Sequence, residues 1–367
     1  MKNALSAWLE SQGTPLTEDR GIELPSAFTN AQDEYTAVCE HAGLIDLSFR
    51  TQVKLTGEDR ADFLQGMLSN DIKALQPGDG CPATLLTEQG RIVADLRVYA
   101  LESAILLDMD ARIKDKTIQA LDRFLIADDV EIEDLSAQQV TVAVQGPSSA
   151  EVLSAAGLSP LPEKDLQHQG AALADATLAD ASIRIIRSDQ TGKGGYELHI
   201  PNDRAAHVWQ ALSQIDGILP AGQRALNMLR VEAGIPWYGV DMDEDRIVLE
   251  VGLDQAISFN KGCYLGQEVV ERVSARGHMN RQLSGLLLQN TGQDGALPTA
   301  LPTNGDKLFH DTKEVGWITS VVTSPRIGRP IALGYVRHEY MQPGTPLRID
   351  RPGTGMIAEV TKLPFLQ

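Results

Sequence analysis

The strongest constraint on this chain is a change of character near residue 283. From there the sequence runs in short apolar stretches, LSGLLLQ, EVGWITSVVTS, PIALGYV, TPLRI and GMIAEVTKLPF, punctuated by proline and glycine. Short apolar runs between turn residues are the mark of strands, so residues 283–367 are predicted to form a small all-β domain. TGQDGALPTALPTNG (291–305) is expected to be a loop within it.

Before that point strands and helices mix. RTQVKLTG (50–57) alternates and ends in a turn, and EDRADFLQGMLSNDI follows with Phe63, Leu64, Met67 and Leu68 on one helical stripe. PATLL (82–86), RIVADLRVYAL (91–101) and AILLDMD (104–110) read as further strands, and ARIKDKTIQALDRFLIAD as a helix. QVTVAVQGPSSAEVLSAAG (139–157) reads as strand, turn and helix, with Pro147 suited to a first helical turn. ASIRIIRSD and GYELHIP form an expected hairpin about QTGKGG (190–195), and RAAHVWQALSQI and QRALNMLRVEAG are helical. This order predicts an α+β architecture with an antiparallel sheet: residues 1–282 as one region, 50–135 an α+β subdomain within it, and 283–367 separate.

Composition narrows the function. A formal charge of −18 disfavours affinity for phosphate backbones, and the basic residues form no cluster, so direct nucleic-acid binding is not expected. No window approaches the roughly 18 apolar residues of a membrane span, and MKNALSAWLESQG reads as a short amphipathic helix rather than a signal peptide. Cys39, Cys81 and Cys263 are too few and scattered for a disulfide framework, which makes the cytoplasm the expected compartment. TGKGG lacks the spacing of a phosphate loop, and DMDEDRIVLEVG (241–252) has Arg246 where a calcium loop needs glycine. The histidines make no H-x-x-x-H pair, so no metal site built by this chain alone is expected.

Four patches carry chemistry. In GRIVADLRVY, alternation puts Asp95, Arg97 and Tyr99 on one strand face; the carboxylate either pairs with Arg97 or a cross-strand cation, or faces a cleft. In QTGKGGYELHI, Glu197 sits on a strand, where a carboxylate can accept two parallel hydrogen bonds from an amino-oxo heterocycle such as a pterin. In RVEAGIPWYGVDMD (230–243), Arg230 precedes Trp237 and Tyr238, which suits a planar anionic ligand or an internal salt bridge beside two core aromatics. In KGCYLGQEVVERV, Cys263 stands just before a helix, where the dipole and Lys261 would favour a thiolate acting as nucleophile, redox switch or metal ligand.

Taken in order, GLIDLSFRTQVKLTGEDRADFLQGMLSNDI, GRIVADLRVY, VAVQGPSS, TGKGGYELHIP, LRVEAGIPWYGVDMDE and IALGYVRHEYMQPGTPL resemble the aminomethyltransferase (glycine cleavage T-protein) superfamily. KGCYLGQE, comprising Lys261, Gly262, Cys263, Tyr264, Gly266, Gln267 and Glu268 with Leu265 between, is similar to the mark of its YgfZ-type folate-binding proteins. The resemblance implies a three-part, clover-like fold around a tetrahydrofolate site, with a C-terminal β-barrel. It implies Asp95 as the folate-facing carboxylate, Glu197 as the pterin contact and Arg230 as the arginine of the family's R-x-E-A-G segment; Tyr238, at the turn after it, is a further candidate folate contact. GRIVAD departs from the family's GGI-x-DD pattern, and Gln190 stands where its loop carries tyrosine.

Weighed together, these features lead to the expectation of a folate-binding accessory protein for iron–sulfur cluster assembly or repair. Cys263 and Asp95 would be its working groups, with Cys263 also a ligand to a transient cluster shared with carrier or client proteins. Its effect on tRNA modification would be indirect. The alternative is a folate-dependent aminomethyl (one-carbon) transferase.

Overall fold

The computed structural model describes residues 2–19, 21–171, 182–275, 277, 279–290, 300–351 and 355–366. Residues 291–299 of the expected loop therefore lie outside the described residues. The chain divides into two compact units: Met1–Leu86, Val93–Leu226 and Gln255–Leu265 form the first; Thr87–Ile92, Asn227–Asp254 and Gly266–Gln367 form the second.

The first unit is built on two sheets. One has six strands in the order His168–Ala171, Ile183–Arg187, Gly195–Pro201, Gln139–Gln145, Ala42–Asp46 and Ile218–Ala221, antiparallel except for the last pair. The other has five, in the order Gly80–Leu86, Ile92–Ala100, Ile105–Asp110, Arg50–Thr56 and Glu131–Asp134. Side chains alternate across a strand, so each strand of the six-stranded sheet serves two layers. Val140, Val142, Val144, Leu198 and Ile200 point one way and pack with Leu5, Leu9, Val152, Val208, Trp209 and Leu212 of three helices. Each such large apolar side chain contributes about 1.5–3 kcal/mol when withdrawn from water. Thr141, Gln145, Glu197 and His199 point the other way and are buried as well. Their partners include Gln52, Arg97 and Asp108 of the five-stranded sheet, so a polar layer separates the two sheets.

Local sequence accounts for the helix starts. Asn3 caps Ala4–Ser11 by accepting from the Ser6 N–H at 2.7 Å, a bond typically worth about 1 kcal/mol. Asn30 caps Ala31–Glu40 in the same way. Three expectations need adjustment. The helix after Asp110 stops at Asp122, and Glu131–Asp134 pairs with Arg50–Thr56 as an edge strand too short and acidic to show in the sequence. Pro147 precedes the helix Ser149–Ala155 instead of entering its first turn.

In the second unit, six strands close into a barrel: Arg281–Asn290, Arg329–Arg337, Lys313–Ser324, Lys307–His310, Pro346–Asp350 and Met356–Thr361. The first and last strands pair antiparallel, Gly285 opposite Thr361 and Asn290 opposite Met356, so the sheet has no free edge. Leu286, Leu308, Ile318, Val336, Leu347 and Val360 fill its interior.

Candidate functional site

The polar layer of the first unit owes its shape to one turn. In DQTGKGG, the Asp189 carboxylate accepts from the backbone N–H groups of Thr191, Gly192 and Lys193 at 2.9, 2.8 and 3.2 Å. The Gln145 amide fixes the turn to the sheet, donating to the Ser188 carbonyl and accepting from the Gln190 N–H at 2.8 Å. Gly195 then starts the strand with φ +153°, and a Cβ there would lie 2.5 Å from the Val144 carbonyl oxygen. Only glycine permits that approach.

The turn delivers three donors to one oxygen of Glu197. Its Oε1 accepts from Arg97 at 2.5 Å, Gln190 at 2.6 Å and Ser188 at 2.9 Å. Its Oε2 is buried and has no partner. Burial alone would raise the carboxyl's pKa, but the Arg97 and Arg50 charges and the Ser188 bond outweigh it and pull the value down to about 2. Glu197 is thus a fixed anion with one acceptor oxygen vacant. Gln190, the departure from the family loop, is one of the three donors that fix it.

Asp95 is the contrasting group. It lies two residues from Arg97 on Ile92–Ala100, but Arg97 pairs with Glu197 and not with Asp95. The partly accessible Asp95 carboxylate has no hydrogen-bonding or ion-pair partner among the described residues. Burial raises its pKa, with Arg50 and Arg97 moderating the rise. Beyond it, Asp108 accepts from Arg50 at 2.5 Å and Gln52 at 2.7 Å, and faces His199 Nε2 at 3.6 Å.

Arg230 and Tyr238 belong to the second unit. Arg230 donates to Asn227 at 2.8 Å, the Ile235 carbonyl at 3.1 Å, Asp241 at 2.6 Å and Ser320 at 2.7 Å. Its guanidinium lies 4.3 Å from the Trp237 ring centroid. Asp241 in turn accepts from Thr319, Ser320 and the Trp237 N–H. The internal salt bridge beside aromatics is therefore present, and Tyr238 follows it in the chain in a short bridge with Met242.

The KGCYLGQE segment is a loop and a helix start. Cys263 is an exposed free thiol four residues before the helix Gln267–Ala275. Lys261 is not spent on it: its ammonium donates to the carbonyls of Gln65, Leu68 and Asn70 at 2.7, 2.6 and 2.7 Å. Burial lowers the Lys261 pKa to about 8. Tyr264 is buried, Gly266 has φ +82°, Gln267 donates to Glu271 at 2.5 Å, and exposed Glu268 pairs with Arg272. Gly262 has open space where a Cβ would go.

Sequence reasoning missed Arg97, Ser188 and Gln190 as the setting of Glu197. Period-two alternation did put Arg97 on the face of Asp95, but the partner across the layer was not available from spacing. Among the described residues no group of three His, Cys, Asp or Glu side chains is placed to hold a metal ion. No described helix is long and apolar enough to cross a membrane.

A vacant, anchored carboxylate and a partnerless one therefore lie on the polar layer of the first unit. Comparison with known proteins makes the class specific. Residues 5–261 match the GCVT N-terminal domain, and residues 281–367 the glycine cleavage T-protein C-terminal barrel domain. The aminomethyltransferase of Chlorobium phaeobacteroides is 30% identical, over 100% of this chain and 98% of its own. That of Nostoc sp. is 31% identical, over 95% and 91%. The solved glycine cleavage system aminomethyltransferase T from Bartonella henselae is similar with a TM-score of 0.87 at 26% identity, covering 99% of this chain and 97% of that one. The chain belongs to the glycine cleavage T-protein family.

These findings correct the expectation of an iron–sulfur accessory protein acting through Cys263. The relatives that span nearly the whole chain are named as transferases. They support the superfamily and give no support to the YgfZ-type placement, a shared cluster, cluster-carrier partners or a link to tRNA modification. The error lay in giving one eight-residue loop more weight than the full-length pattern around it. The cation expected to activate the thiol is held by backbone carbonyls instead.

Proposed function

We propose that this protein is a folate-dependent aminomethyltransferase, transferring a one-carbon unit from an aminomethyl donor to tetrahydrofolate. The names of its full-length relatives support the reaction class. The observation that carries the ligand assignment is the split character of Glu197: three donors on Oε1 and none on buried Oε2. An ionised, oriented acceptor of this kind suits the N–H edge of a pterin, and leaving it vacant costs on the order of 1–3 kcal/mol. Tetrahydrofolate, when bound, would supply the nitrogen that takes up the carbon unit.

In this reading Glu197 holds the ring edge, and Arg97, Ser188 and Gln190 are positioning residues that keep it ionised and aimed. Asp95 is the catalytic carboxylate. A raised pKa and a free lone pair let it hold or move a proton as ammonia leaves the donor. Arg230 serves the second unit through Asp241. Cys263 is given no part in the transfer.

The direct test supplies an aminomethyl-lipoyl donor and follows ammonia with and without tetrahydrofolate. Folate-dependent release, lost in Asp95→Asn, is the expected result. A flat trace with active donor and acceptor overturns the reading.

A further inference from the structure

The first unit holds a cavity of about 240 Å³ that neither Asp95 nor Glu197 lines. Leu101, Leu106 and Leu135 give it an apolar wall, and Gln52, Arg184 and His199 a polar end. Arg184 and His199 stand directly opposite one another on paired strands, Ile183–Arg187 and Gly195–Pro201.

Among the described residues, the charges around this space do not balance. Asp108, beneath the polar end, is matched by Arg50. Lys54 and Glu133, on the wall, pair with each other at 2.9 Å. His168 is pushed down to about 4 by burial and by Arg184, and is neutral. His199 is also shifted down by burial, against the pull of Asp108 and Glu197. That leaves Arg184. It donates from one terminal nitrogen to His168 Nδ1 at 2.9 Å and has no carboxylate partner among the described residues. Withdrawing a guanidinium from water with no acid beside it is costly, and a bound anion would offset that cost.

We infer that this cavity binds a short-chain aliphatic carboxylate, its anionic end on Arg184 and its chain along the three leucines. The remaining N–H groups of a guanidinium match a carboxylate in a planar, two-bond geometry, which a lysine or a neutral donor does not reproduce. The volume equals about eight water molecules at roughly 30 Å³ each, which fits a carboxylate of about eight heavy atoms, such as hexanoate. This site is independent of the proposed transferase reaction, which uses other residues.

The test is calorimetric titration of the full chain with hexanoate and with its neutral isostere hexanamide. Saturable one-to-one hexanoate binding is expected, with hexanamide and the Arg184→Gln protein each weaker by about tenfold or more. Affinity for hexanoate should be unchanged when tetrahydrofolate is present. Equal binding of acid and amide, competition with folate, or no saturable binding at about 10 mM hexanoate would each overturn the inference. The acid–amide comparison uses unaltered protein, so it decides the matter even if Arg184→Gln does not fold.

Discussion

Each unit of this protein sets an arginine against a buried carboxylate, and the two pairs are finished differently. In the second unit, Asp241 accepts from Arg230, Thr319, Ser320 and the Trp237 backbone, with neither oxygen left without a donor. In the first unit, Glu197 concentrates three donors on one oxygen and leaves the other buried and bare, while Asp95 nearby in sequence to Arg97 has none. A closed ion pair of the first kind holds elements together. An open one of the second kind is unfavourable in isolation.

The sharpest way to break this comparison is at Asp95. Asp95→Asn should lower the transfer rate by about 10²–10⁴-fold, the range ascribed to a lost general acid–base group, with the fold intact. The pH–rate profile offers a second reading. The acid limb should lie above the ordinary carboxylate range, since the Asp95 pKa is raised, and should vanish in the Asn variant.

Next in size is Arg230→Ala, which strands the Asp241 charge in the barrel unit. Stability should fall by about 3–5 kcal/mol in a urea titration. If that variant stayed folded and lost only folate, the two pairs would not be different in kind. Glu197→Gln should weaken tetrahydrofolate by about 10–100-fold in equilibrium binding, as the loss of a charged acceptor predicts, with a much smaller change in stability.

Asp46 gives the smallest effect and a control. Its Oδ1 accepts from Ser48, its Oδ2 is bare, and burial raises its pKa to about 6 from 3.8. The folded state therefore holds more protons than the unfolded chain between those values, and stability falls as pH rises through that window. Asp46→Asn removes this loss but still buries an unpaired polar atom. It should raise stability above pH 6 by about 1–2 kcal/mol, change little at pH 4, and leave folate binding as it was. Weakened folate binding would mean that bare carboxylate oxygens here do not mark the ligand site.

Much of the fold was legible because its signals are local. Alternation in RTQVKLTG and GYELHIP gave strands, and Gly and Pro punctuation marked the all-β domain that closes as the barrel. The edge strand Glu131–Asp134 was not legible, since three of its four residues are acidic and it is specified by its neighbour Arg50–Thr56. Glu197 was legible as a strand carboxylate. Its three donors come from positions 97, 188 and 190, and only the fold brings the first of these to it. The thiol motif shows the opposite hazard: KGCYLGQE is conspicuous as a string, yet Lys261 folds into a cap for the carbonyls of Gln65, Leu68 and Asn70 at the end of Arg60–Met67.

The barrel closes by pairing Arg281–Asn290 with Met356–Thr361, its earliest strand with its latest. During synthesis the four intermediate strands can emerge and zip together while that seam still gapes. Both margins then present unpaired backbone until Met356–Thr361 leaves the ribosome. A nonsense mutation after Asp350 would leave the seam open for good. The strand Met356–Thr361 therefore decides whether the barrel matures or aggregates.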